Sequence, residues 1–247
     1  MTAVLAINPN TTSAMTALVE HHLRATAPKI EWRMATGRFG AAYVTSEASF
    51  AIASHAALDA WAEHGEGCDA VLLACFGDPG LYALRELSPV PVVGLAEASM
   101  HAAAQHSPRF SIVTGGPRWA PMLERLALTL GFRERLVSVR AIEITGGQAA
   151  ADPRRTVAAL AQACKDAHAQ DGAQAVILGG AGFAGFAALC APYVAHTGIA
   201  VIDSVIAGAK AAERLALGAP CPYTRRDGMK QTDATGIGTM LARKLVE

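Results

Sequence analysis

Short runs of Val, Ile, Leu and Ala alternate along the chain with longer Ala- and Leu-rich stretches whose apolar positions recur at helical spacing. The short runs predict strands over 3–8, 30–35, 69–75, 90–94, 109–114, 135–142, 174–179 and 198–202. The longer stretches predict helices over 12–26, 47–64, 79–87, 95–105, 117–131, 152–169, 182–193 and 204–216, with Thr11 or Thr12 capping the first. Apolar strands that each lead into a helix specify an α/β fold with parallel sheets covered by helices. With 247 residues, one large domain or two small ones would each bury a sizeable core.

The same pattern occurs twice. Ala70-Val-Leu-Leu-Ala-Cys75-Phe-Gly77 aligns without gaps with Ala175-Val-Ile-Leu-Gly-Gly180-Ala-Gly182, a shift of 105 positions. Val4-Leu-Ala-Ile-Asn8-Pro aligns with Phe110-Ser-Ile-Val-Thr114-Gly at a shift of 106, and a weaker match sets Thr36-Gly37 against Thr145-Gly146. The competing account is chance similarity between generic βα units. Duplication predicts two pseudo-symmetric α/β half-domains with parallel sheets: residues 1–97 with the C-terminal 210–247, and residues 98–209.

Ligands of open parallel sheets bind beyond the carboxyl ends of the strands, where loops turn into helices. Asn8, Cys75, Thr114 and Gly180 all fall there, so facing halves bring them to one cleft, with Cys75 on one wall and Gly180 on the other. Cys75 precedes a helix expected to open at Asp78-Pro79-Gly80, whose positive end would favour the thiolate. The alternative is a buried structural cysteine. The turns Phe76-Gly77, Thr114-Gly115 and Gly180-Ala181 would offer N–H groups to a carboxylate or a forming enolate, with Asn8 and Thr114 orienting it. Glycines that merely permit tight turns explain the same residues. Tyr43 and Phe50 would close over an apolar substituent, or simply pack in the core.

Composition narrows the choices. Lys plus Arg equals Asp plus Glu at 21 each, and no basic stripe carries interleaved aromatics, so nucleic acid is not an expected partner. The apolar run 3–7 is too short for a signal-peptide core, which makes the cytoplasm the expected compartment. The five cysteines (Cys68, Cys75, Cys164, Cys190 and Cys221) have neither disulfide nor zinc-like spacing. The histidines supply one helical-spacing pair, His55 with Asp59, too few ligands for a metal. No charged residue occurs between 172 and 202. Its Gly and Ala content fits a buried βαβ unit better than a membrane span. Within it, Gly180-Ala-Gly182-Phe-Ala-Gly185 followed by Asp203 matches a dinucleotide fingerprint, but it begins too late in the chain for the usual domain.

Three segments carry a family resemblance: Ile7-Asn-Pro-Asn-Thr-Thr12, Ala74-Cys-Phe-Gly-Asp-Pro-Gly-Leu81 and Leu178-Gly-Gly-Ala-Gly182. They resemble the hydantoin and allantoin racemases of the aspartate/glutamate racemase superfamily over nearly the whole chain. The resemblance implies a homo-oligomeric isomerase of two α/β half-domains, without a cofactor, acting on a small hydantoin, amino acid or malonate-like substrate. It also implies two cysteines that take and return a proton on opposite faces of a stereocentre, the first being Cys75. Gly180 stands where the second belongs, and glycine can neither take nor give a proton. Racemisation is the first expectation. Decarboxylation with a single cysteine, as in the arylmalonate decarboxylases of the superfamily, and ligand binding without turnover are the alternatives.

Overall fold

The computed structural model describes residues 1–221, 234 and 236–246. In a first parallel sheet β1 (Ala3–Asn8), β2 (Glu31–Thr36), β3 (Ala70–Leu73) and β4 (Val92–Gly94) lie in the order β2-β1-β3-β4. In a second, β5 (Phe110–Gly115), β6 (Leu136–Ile142), β7 (Ala175–Gly179) and β8 (Ala200–Asp203) repeat it as β6-β5-β7-β8. The internal duplication is thus structural. Its weakest sequence match needs correction: Asn8 pairs with Thr36 while Thr114 pairs with Ala141, so Ala141, not Thr145, is the counterpart of Thr36. Strands β1, β3, β5 and β7 are buried along their whole length, which is why they read as unbroken apolar runs. In both sheets the chain steps first to one side and then crosses to the other. The resulting switch points lie at the carboxyl ends of β1/β3 and β5/β7.

Around the first sheet lie α1 (Ser13–Thr26), α2 (Glu47–His64), α3 (Leu81–Leu87) and α4 (Leu95–His106). The second is accompanied by α5 (Trp119–Thr129), α6 (Gly146–Ala149), α7 (Pro153–Asp171), α8 (Phe186–Val194) and α9 (Ser204–Ala216). A further helix, α10 (Thr239–Val246), packs on α2 and places Leu241 in the core with Leu5 and Ile7. Neither α6 nor α10 stands out in the sequence pattern. The stretch expected to be one helix over 182–193 is a 3₁₀ turn, Ala181–Phe183, followed by α8 after Gly185 at φ +84°. Thr12 is the N-cap residue of α1, as expected, but its side chain makes no capping hydrogen bond and its hydroxyl donates to Ala42 O. Among the described residues no helix is long and apolar enough to cross a membrane.

Two helices tie the halves together. α4 follows β4 yet packs on β7 and β8, while α9 follows β8 yet packs on β1, β3 and β4. The two also pack on each other. Gly208 makes this possible, since a Cβ there would lie 2.6 Å from Leu95 and 3.2 Å from Leu72.

Candidate active site

The first wall of the cleft is the turn after β3. Ala74 N extends the strand by donating to Ile7 O, and Cys75 follows, 8% exposed. Burial, with Asp78 adding like-charge repulsion, pushes the Cys75 thiol up to about 12. This reverses the expected stabilisation of the thiolate. The helix that was to supply a positive end starts only at Leu81, because Asp78 (φ +59°) and Gly80 (φ +84°) adopt left-handed conformations. Asp78 does cap a helix, but a different one: its two carboxylate oxygens accept from Ala96 N and Glu97 N of α4, both at 2.8 Å. Its own carboxyl is pushed up to about 7, chiefly by burial. The nearest charge to Cys75 is therefore an acid, and the thiol is the resting form.

The second half solves the same problem in another way. By strand register Asp203 is the counterpart of Gly94: Leu73 pairs with Gly94, and Leu178 with Asp203. Asp203 caps its own helix through Val205 N and Ile206 N and reaches back to Gly185 N at 2.7 Å. At the position aligned with Asp78 stands Phe183, whose ring packs in the core. One half sends its capping carboxylate from the turn across a glycine, and the other sends it from the strand end back to the turn. Both oxygens of Asp203, the acidic member of the apparent dinucleotide fingerprint, are engaged by backbone N–H groups.

The turn beyond β7 is shaped by close backbone approaches. A Cβ on Gly182 would run into the backbone of Gly146, and one on Gly179 would lie 2.5 Å from the Phe76 ring. Gly180 has φ +137°, a conformation that L side chains rarely adopt. Gly180 is therefore not Cys75 with its side chain removed, and its backbone takes a path that favours glycine.

Between these turns lies a small cavity of about 40 Å³. Six residues singled out from the sequence line it: Cys75, Phe76, Thr114, Gly180, Ala181 and Tyr43. Three others do not. Asn8 is fully buried and its Nδ2 donates to Asn10 Oδ1, Thr12 O and Thr16 Oγ1, so it holds Asn10, which lines the cavity in its place. Gly77 faces the Trp119 ring, 2.6 Å from where its Cβ would be. Gly115 packs on Ile144 O and Phe183. The Thr114 hydroxyl donates to Gly179 O at 2.7 Å. Phe50 faces a neighbouring groove. Sequence reasoning missed Asn10, Met15, Val44 and Trp119; the Asn-Pro-Asn motif around Asn10 was the one available signal. Of the lining residues only Cys75 and Tyr43 are titratable. The His55–Asp59 pair lies apart from the cavity, with Asp59 taken by Arg38 and His55 meeting Phe39 edge to face.

Two duplicated α/β halves meet at a cleft with the buried Cys75 thiol on one wall. The chain belongs to the Asp/Glu/hydantoin racemase family, whose profile it matches over residues 4–212, and so to the racemases among the isomerases. It is 37% identical over 211 residues to the hydantoin racemase of Pseudomonas sp. (strain NS671), covering 85% of this chain and 84% of that one. It superimposes on the allantoin racemase from Klebsiella pneumoniae with a TM-score of 0.85 and 31% identity, covering 96% and 97% of the two chains. A mutant of arylmalonate decarboxylase shares the fold, with a TM-score of 0.67 at 18% identity over 92% of this chain and 97% of that one.

Proposed function

We propose that this protein racemises a small carbon acid of the hydantoin type, with Cys75 moving the proton at the carbon beside a carbonyl. The observation that carries this reading is Cys75 itself, a thiol on the wall of the cavity between the halves, in a chain 37% identical to a hydantoin racemase. No charged side chain lines the cavity, which suits an uncharged ring with an apolar substituent beside Met15, Val44 and Trp119. Of the lining residues, Phe76, Ala181 and Gly182 have no acceptor for their N–H groups among the described residues. These groups would stabilise the enolate oxygen as it forms. We read the halves as residues 1–97 with 210–247, and 98–209.

The test is an enantiopure 5-substituted hydantoin incubated with the protein, followed by optical rotation and chiral chromatography. Rotation is expected to fall to zero while the compound stays intact, and decay no faster than in buffer overturns the assignment. Gly180 opposite a single cysteine favours a second reading, decarboxylation with one protonation. Carbon dioxide released from an arylmalonate, with no racemisation of the hydantoin, would establish it instead.

The raised thiol sets the pH dependence. Below a pKa near 12 the thiolate fraction grows about tenfold per pH unit. Because kcat/KM reports ionisations of the free enzyme, its logarithm is expected to climb with a slope near one from about pH 7 to pH 9. A plateau beginning below pH 8 would show that Cys75 ionises far more readily than its surroundings imply.

A further inference from the structure

We propose that Tyr43 is the second acid/base of this site, exchanging a proton on the face of the reacting carbon opposite Cys75. The assignment rests on the racemase reading and supplies what that reading lacks, since Gly180 has no proton to give. Tyr43 is the other titratable residue on the cavity wall.

Its position follows from contacts across the cleft. Tyr43 belongs to the loop between β2 and α2, which is fastened to the first half where Thr11 N donates to Ala41 O and the Thr12 hydroxyl donates to Ala42 O. From there the side chain crosses to the second half, and its oxygen accepts from Gly146 N at 3.0 Å. Gly146 in turn lies against Gly182, two residues beyond Gly180. The hydroxyl is thus held on the wall that carries Gly180, while Cys75 stands on the other. Because the oxygen accepts from Gly146, its own O–H is left to donate, and it has no protein acceptor among the described residues. The same Gly146 N–H would stabilise a tyrosinate. Burial holds the phenol protonated at rest.

The proton balance closes without any further reagent. With Cys75 as thiolate and Tyr43 as phenol, the substrate C–H bond breaks, S–H forms, and the electron pair moves into the adjacent carbonyl as an enolate. The Tyr43 O–H bond then breaks and its proton joins the opposite face of the carbon, the enolate pair forming the new C–H bond. Cys75 is left as thiol and Tyr43 as tyrosinate, the state that converts the other enantiomer. Exchange with water restores the first state when the same enantiomer is turned over again.

The test compares wild type, Tyr43→Phe and Cys75→Ala on each enantiomer of 5-benzylhydantoin in D2O. Loss of the C5–H signal is followed by proton NMR and inversion by chiral chromatography, each corrected for the uncatalysed rate. In Tyr43→Phe, racemisation is expected to fall at least about a hundredfold. One enantiomer, with its hydrogen toward Cys75, should still exchange with retention of configuration, within about tenfold of wild type. That surviving exchange also shows that the variant is folded. Racemisation within threefold of wild type overturns the proposal, and so does a parallel loss of exchange and inversion, which would make Tyr43 a residue that only shapes the cavity. A wild-type protein that neither exchanges nor racemises either enantiomer removes the underlying racemase reading, a different outcome from either of these.

Discussion

Cys75→Ala is expected to lower kcat/KM for racemisation by at least about a thousandfold, toward the limit set by general acid–base catalysis together with enolate stabilisation. The substitution removes one sulfur atom from a buried position and leaves the backbone of the turn in place. The Cys75 side chain makes no hydrogen bond among the described residues, so folding loses little, on the order of 1 kcal/mol. Activity and stability are therefore expected to separate: turnover disappears, while the thermal midpoint moves by only a few degrees. Cys75→Ser should be nearly as inactive, since a hydroxyl in the surroundings that hold this thiol up at about 12 ionises still less readily. Racemisation by Cys75→Ala within tenfold of wild type would move the proton transfer to another group.

Gly94→Ala is expected to be strongly disruptive. The backbone at Gly94 (φ −86°, ψ 138°) suits any residue, so no conformational strain is involved. The obstacle is the Asp78 carboxylate: a Cβ would lie 2.5 Å from its Cγ and closer still to Oδ2. Asp78 must then move off the N-terminus of α4, leaving Ala96 N and Glu97 N unpaired in a buried position. Loss of a cap together with overpacking amounts to about 3 kcal/mol. For a chain of this length that is a drop of roughly 6–12 °C in the melting midpoint. Because Asp78 belongs to the turn that carries Cys75, kcat/KM should fall as well. A midpoint within 2 °C of wild type would contradict this account. Exchanging the two residues, Asp78→Gly with Gly94→Asp, moves the capping carboxylate to the strand end, where the second half carries Asp203, and is expected to be less damaging than Gly94→Ala.

These two predictions also show what was legible in the sequence. The eight strands and the duplication were readable because buried parallel strands write continuous apolar runs, and duplicated runs align without gaps. Cys75 facing Gly180 followed directly from that alignment. The destination of Asp78 did not. Asp-Pro-Gly reads locally as a helix start, whereas its carboxylate serves a helix 18 residues further on, and nothing in the local pattern distinguishes the two. Asn8 and Asn10 were confused for a related reason: one motif holds both, and only three-dimensional packing decides which amide turns inward. The hydroxyl of Tyr43 meets Gly146, 103 residues away, a contact with no periodicity to announce it. Trp119 lines the cavity at the opening of α5, and helical spacing alone does not single it out.

The exchange of α4 and α9 bears on how the molecule can be divided. Each sheet is covered by the helix that follows the other sheet's last strand, so a chain cut after α4 would yield two fragments, each with an apolar flank laid bare. Such fragments should recover a native structure only on recombining, as a complementing pair. The same clasp limits how the cleft can breathe.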